Sequence, residues 1–257
     1  MKVLASYNIK GGVGKTAAAV NLAHLAAESG CRTLIWDLDP QGAASFYFRV
    51  KPRVKGGGGK LLKRREVDRH IKGTDFPDLD LLPADFSYRH LDIALSEYKK
   101  PARRLRKLLD EVSSDYDYVF LDCAPSISLV SESVFSIADA LLIPTMPTTL
   151  SLHTLGQILR FFRKNGLGDV KLLPFFSMVD SRKALHRETV SDSSSLECRV
   201  LLTCIPYAAD VEKMGVRRAP LTSYSRSSAA AQAFRDLWGE IRAEVEAPVA
   251  RQPGPAS

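Results

Sequence analysis

Lys10-Gly11-Gly12-Val13-Gly14-Lys15-Thr16 follows an apolar run (Val3, Leu4, Ala5, Tyr7) and precedes an alanine-rich, helix-forming stretch. A strand, a glycine-rich turn and a helix in that order make a phosphate cradle. The turn's backbone N–H groups and the positive end of the helix dipole converge on one point. Glycine is needed where a side chain would block a polyphosphate or where φ must be positive. The pattern predicts Lys15 on the β- and γ-phosphates and the Thr16 hydroxyl on Mg²⁺. The competing reading is a merely tight strand–helix turn.

One position departs from the common G-x-x-x-x-G-K-[ST] spacing. Ile9 stands where the first glycine falls, and a second lysine, Lys10, lies inside the loop. Lys15 and Mg²⁺ already supply the local counter-charge, so Lys10 is read as pointing outward, into the nucleotide site of a second copy. Two subunits face to face would each lend a cation to the other's transferring phosphate, as an arginine finger does in trans.

Further along, Leu34, Ile35 and Trp36 make a short apolar strand ending in Asp37 and Asp39. Ligands of open α/β sheets bind at the carboxyl ends of strands, and alternate strand residues share a face. Both carboxylates can therefore serve one site, one organising Mg²⁺ waters and the other positioning the attacking water. Capping of the turn before Pro40 is the alternative. Tyr118 to Leu121 form a second apolar strand, closed by Asp122. A carboxylate there is costly unless a cation meets it, and Mg²⁺ is the natural partner. A cap for the segment Ser126–Ile137 is the competing role.

With these motifs in order, the chain resembles the deviant Walker ATPases of the ParA/MinD group, closest to the ParA side, from Met1 to about Val245. Trp36 to Gly42, Phe120 to Ser126, Met178 to Arg182 and Ile205-Pro206 look like the family's successive motifs. The resemblance implies a P-loop fold, ATP and Mg²⁺ as cofactors, and hydrolysis stimulated by a partner. It assigns Asp39 to the water and Asp37 to the outer shell of the metal. It sets Met178, Pro206 and Tyr207 beside the base, and the absence of an Asn-Lys-x-Asp tetrapeptide tilts the base to adenine. Two positions differ from relatives: Ala17, where a threonine is common, and Tyr207, where arginine is frequent. Ala17 keeps its backbone N–H but loses one hydroxyl contact to phosphate.

Composition fits this picture. The chain has 257 residues, 45% of them hydrophobic, enough for one large α/β domain. Apolar runs at 3–7, 33–36, 79–82, 118–121, 140–143, 170–176 and 200–205 alternate with helical stretches. That alternation predicts a mostly parallel twisted sheet with helices on both faces. One domain is expected over 1–246, with a Pro/Ala-rich tail over 247–257 that frays. No apolar run approaches about 18 residues and no signal sequence is present, so a cytoplasmic protein is expected. No operator-binding domain is expected ahead of a loop that starts at residue 10. Four cysteines and five histidines without paired spacing predict reduced thiols and no zinc or iron–sulfur centre.

Charge is uneven. Residues 51–72 carry nine Lys/Arg against Glu66 and Asp68, a local +7 that equals the formal charge of the whole chain. Gly56 to Gly59 within it are expected to resist regular structure. A mobile basic loop of this kind contacts nucleic-acid phosphates, faces water, or meets an acidic partner. Relatives of the ParA type use late basic residues for non-specific DNA binding in the ATP dimer. Here the late set is Arg199, Lys213, Arg217, Arg218, Arg226, Arg235 and Arg242, with Arg217 and Arg218 preferred. Apolar Phe234, Leu237, Trp238, Ile241 and Val245 predict a packed final helix over 229–245. The stretch after it is a poor membrane anchor, which favours a nucleoid-bound role over a membrane-bound one. The expectation is an ATP-dependent homodimer that binds DNA and positions cargo through a ParB-like or other adaptor. Its rivals are a metabolic P-loop synthetase or ligase, a non-hydrolysing nucleotide scaffold and a MinD-like ATPase on a membrane surface.

Overall fold

The computed structural model describes residues 1–64, 66–167 and 170–247, apart from the side chain of Ser195. Strands β1 (Lys2–Ser6), β2 (Thr33–Asp37), β3 (Lys72–Gly73), β4 (Leu79–Leu82), β5 (Tyr118–Asp122), β6 (Ala140–Thr145) and β7 (Lys171–Phe176) form one sheet. Its order is β3-β4-β2-β5-β1-β6-β7. Only the short β3 pairs antiparallel; the other pairings are parallel.

Side chains alternate across the sheet, so each strand feeds two cores. Val3, Ala5, Leu34, Trp36, Val119 and Leu121 point to one, while Leu4, Ile35, Tyr118 and Phe120 point to the other. Burial on both faces is why these strands read as unbroken apolar runs. Helices Pro101–Asp110, Leu129–Phe135 and Thr149–Asn165 close the first core. Helices Lys15–Glu28 and Ala229–Glu246 close the second. Each fully buried Leu or Phe there stabilises the fold by about 1.5–3 kcal/mol. Phe234, Leu237, Trp238, Ile241 and Val245 are all buried, as their spacing predicts. Trp238 meets Tyr118 edge-on at 5.2 Å.

The sheet brings three functional strand ends together. Ser6 of β1 pairs in register with Asp122 of β5, and Asp122 with Asp37 of β2. The glycine-rich loop and both acids therefore share one carboxyl edge, where the strand order reverses around β1.

Two expectations need correction. The run 200–205 is not a strand. Leu201 and Ile205 donate to carbonyls of β7, but between them the N–H groups of Leu202 and Thr203 are taken by the Glu240 carboxylate. That diversion breaks the ladder. The glycines of the basic segment do not resist regular structure either, for Gly57–Arg64 is a helix. Gly56 and Gly57 have φ of 89° and 72° and turn the chain into it. Gly58 lies so close to Tyr88 and Leu91 that a Cβ would come within 2.8 and 2.9 Å of them. Leu61 and Leu62 are buried beneath. Apart from Ala247, the expected tail 247–257 lies outside the described residues, as does Arg65.

Candidate nucleotide site

The helix Lys15–Glu28 begins without a capping side chain. Gly14 at its N-cap has φ 93° and offers no side chain to accept from the first N–H groups. Such an end is an open anion site. Gly12 has φ 71°, and a Cβ at Gly11 or Gly12 would meet nothing within 4 Å, so the cradle faces free space. At Gly14 the φ of 93° is one that L side chains rarely adopt, and a Cβ would also come within 2.9 Å of Ser177 Oγ. Val13 turns its side chain into the core.

Side chains fix the loop from below. Asn8, fully buried, donates to the Pro144 carbonyl at 2.9 Å and accepts from Lys10 N at 2.9 Å. Ser6 Oγ donates to the Lys15 carbonyl at 2.9 Å. The Lys15 amine, 7% exposed, donates to the Lys10 carbonyl at 3.0 Å. Burial lowers its pKa, with Asp122 and Asp39 opposing. The Lys10 amine donates to Ser151 Oγ at 3.2 Å, on the helix Thr149–Asn165 of its own chain. In the single chain, then, the amine is tethered rather than projecting free.

The two strand-end acids are wholly buried. One oxygen of Asp37 accepts from Ser45 N at 2.8 Å and Ser45 Oγ at 2.7 Å. The other Asp37 oxygen and both Asp122 oxygens have no hydrogen-bond partner. Burial, followed by the charge on Asp37, pushes the Asp122 carboxyl well above its usual range; the nearby Thr16 hydroxyl offsets a part. Burial likewise raises Asp37 against the Ser45 bonds. Asp122 caps no helix; Ser128 caps the helix Leu129–Phe135. Asp39 does accept from Gln41 N at 2.9 Å, so it takes part in the turn as well as lining the cavity.

That cavity, of about 340 Å³, joins Gly11, Gly12, Gly14, Lys15, Thr16 and Ala17 to Asp39. Met178, Pro206 and Tyr207 stand in its wall, together with Tyr47 and Ser177. The volume is within the range of small-ligand sites. Met178 holds φ 57°, unusual for a side chain of its size. This turn lets Val179 pair with Pro206, with Val179 N donating to Ile205 O at 3.0 Å and Tyr207 N to Val179 O at 2.9 Å. Asp180 is clamped by Arg182 through bonds of 2.9 Å from Nε and Nη2, which hold its carboxyl down to about 2.

Three unpartnered oxygens on buried acids, beside an uncapped helix end, fit a magnesium–nucleotide pair. Among the described residues no cluster of three or more His, Cys, Asp or Glu could cage a metal alone. Magnesium held by one or two carboxylates, phosphate oxygens and water needs no such cage.

Comparison with known proteins agrees with this geometry. The AAA domain family model matches residues 1–166. Sporulation initiation inhibitor protein Soj of Bacillus subtilis is 30% identical over 249 residues, covering 94% of this chain and 98% of Soj. The chain belongs to the ParA/MinD-type P-loop ATPases. Chromosome partitioning protein ParA of Caulobacter vibrioides is also 30% identical, with 94% of each chain covered. Cobyrinic acid a,c-diamide synthase of Mycobacterium smegmatis, solved with bound ADP and magnesium, superposes with a TM-score of 0.81. It is 26% identical over 96% of this chain and 97% of that one.

Within this ParA/MinD-type chain Arg217, Arg218 and Arg226 are not among the residues that line the nucleotide cavity. Arg217 ends the short helix Met214–Arg217 and is exposed. Arg218 stacks on Phe46 at 4.6 Å and donates to its carbonyl. Arg226 pairs with Glu28 at 3.3 Å. Asn8, Ser45 and Ser177 escape a sequence reading. For Asn8 a signal existed, a short polar residue two positions before Lys10; Ser45 and Ser177 act through long-range contacts that no local pattern marks. All four cysteines are free, and burial raises the Cys123 thiol, which makes it inert. No helix is long and apolar enough to cross a membrane among the described residues.

Proposed function

We propose that the chain is an ATP-hydrolysing switch. Its ATP-bound form pairs with a second copy, binds DNA without reading sequence, and positions or segregates a cargo in the cytoplasm, on the nucleoid. A ParB-like or other adaptor on the cargo stimulates hydrolysis and separates the pair. The observation that carries this reading is the meeting of an uncapped, glycine-built helix end with Asp37 and Asp122, whose free oxygens call for a cation.

Mg²⁺, when bound, would supply neutralisation of the phosphate charge. The chain's own residues do the rest. Backbone N–H groups from Gly11 to Ala17 hold the phosphates, and the Lys15 amine leaves the Lys10 carbonyl to reach them. Thr16 and Asp122 would hold the metal and Asp37 its water shell. Asp39 orients the attacking water. Met178, Pro206 and Tyr207 flank the base. Lys10 exchanges Ser151 for the γ-phosphate of the second copy. Arg217, Arg218 and Arg226 are candidate DNA contacts.

Asp39→Ala tests the hydrolytic half. ATP turnover should fall by about 100-fold or more, while gel filtration with ATP and DNA retains the complex. Faster DNA release than wild type would contradict the assignment of Asp39.

The likeness to the diamide synthase supports a second reading, an ATP-dependent amide-forming synthetase. It requires turnover that depends on a small carboxylic acid and ignores both DNA and adaptor.

A further inference from the structure

A larger cavity, of about 590 Å³, opens on the face of the basic segment 51–72. Arg53, Lys55, Lys60, Arg64, Arg69 and Lys72 converge on it from the lead-in to the helix Gly57–Arg64, the helix itself, and the turn into β3. All but Lys60 are exposed, and Lys60 is half-buried. It shares no lining residue with the nucleotide cavity.

Pairing separates this cluster from four of the late cations. Among the described residues only Arg69 has a carboxylate partner here, Glu66 at 3.1 Å. In the late set Arg199, Lys213, Arg226 and Arg242 are matched to Glu244, Asp210, Glu28 and Glu246, while Arg217, Arg218 and Arg235 have no carboxylate partner among the described residues. A paired carboxylate cancels much of the far field of its cation, so the unpaired cations around the cavity weigh more in the surface potential than the four paired ones.

The helix Gly57–Arg64 also borders a second basic group. Arg104 donates to the carbonyls of Leu62 and Lys63. Beside it Lys99, Lys100, Arg103 and Lys107 line a further concavity. Both groups border the same helix. Neither has an Asn or Gln in its lining, and the first has no Phe, Tyr or Trp. Without aromatic rings to stack bases, the lysines and arginines of the first cavity suit contact with phosphates, the sequence-independent part of nucleic-acid binding.

We propose that this cavity is the seat of the nucleic-acid phosphodiester backbone, and that the four carboxylate-paired cations of the late set are not its main contact. The inference rests on the DNA-binding reading above and supplies its location. Gly58 packs against Tyr88 and Leu91, which fixes the helix backbone that carries Lys60 and Arg64.

The test uses the full chain with Mg²⁺ and a slowly hydrolysed ATP analogue, titrated onto a labelled duplex of arbitrary sequence across a salt series. Lys60→Gln/Arg64→Gln/Lys72→Gln should weaken binding by about tenfold or more. It should also make the log–log salt slope shallower by about 2–3, the loss of that many phosphate contacts. The charge-keeping variant Lys60→Arg/Arg64→Lys/Lys72→Arg should stay within about twofold of wild type, and ATP turnover without DNA should be unchanged in both. A glutamine variant with wild-type affinity and slope overturns the location while DNA binding stands. Absence of duplex binding by wild type removes the DNA-binding reading itself, and this inference with it. Loss of binding to anionic phospholipid vesicles with duplex binding intact would assign the cavity to a membrane and overturn the proposal too.

Discussion

At the scale of single residues, Asp122 is the most exacting test of the site. Its carboxylate is fully buried, with no hydrogen bond at normal geometry and only the Thr16 hydroxyl to offset its burial as a nearby donor, a costly state that a cation relieves. Its folded pKa is raised by burial and by Asp37. A raised acid costs stability above its folded pKa and costs nothing once protonated. Asp122→Asn should therefore raise the melting temperature of the nucleotide-free protein at pH 8, with the gain fading as pH falls toward 5. The same variant should lose the Mg²⁺-dependent part of stabilisation by ATP. A destabilised apoprotein at pH 8, or an intact Mg²⁺ effect, would place the metal elsewhere.

At the scale of elements, the glycine-rich helix Gly57–Arg64 depends on close approach. A Cβ at Gly58 would press on Tyr88 and Leu91, both buried. Gly58→Ala should cost about 1–3 kcal/mol through overpacking, read as a lower urea midpoint. Gly59→Ala, where a Cβ meets nothing, should be neutral or stabilising. Equal effects would remove the packing explanation. These glycines show where a sequence reading stops. Strands β1, β2, β4, β5, β6 and β7, the helix after Thr16, and the meeting of Lys15, Asp37 and Asp122 were legible because apolar runs and local spacing carry them. Gly56 to Gly59 look like a breaker until Tyr88 and Leu91 supply the surface they pack on. The run 200–205 looks like a strand until Glu240, far along the chain, takes its donors. Ser45 under Asp37 belongs to the same class of distant contact.

At the scale of the whole molecule, the helix Lys15–Glu28 is tied to the late segment through His24. This ring is 4% exposed, with Nδ1 2.8 Å from Thr222 Oγ1. Burial lowers its pKa, helped by Arg226 and opposed by Glu28. A depressed histidine favours folding fully above its unfolded pKa of about 6.5 and loses that contribution as pH falls through the folded value. Asp37 and Asp122, raised, act with the opposite sign, so a comparison isolates the histidine. The stability difference between wild type and His24→Asn, from urea unfolding, should shrink between pH 7.5 and pH 5. A constant difference would mean that the ring titrates as it does in the unfolded chain.

Molecular mass in solution decides whether ATP joins two copies through Lys10. Light scattering on the gel-filtered protein with Mg²⁺ and a slowly hydrolysed ATP analogue should give a dimer for wild type and a monomer with ADP. Lys10→Ala should stay monomeric with either nucleotide while still binding ATP. A wild-type monomer with the ATP analogue, or a Lys10→Ala protein that dimerises and hydrolyses at the wild-type rate, would contradict the account.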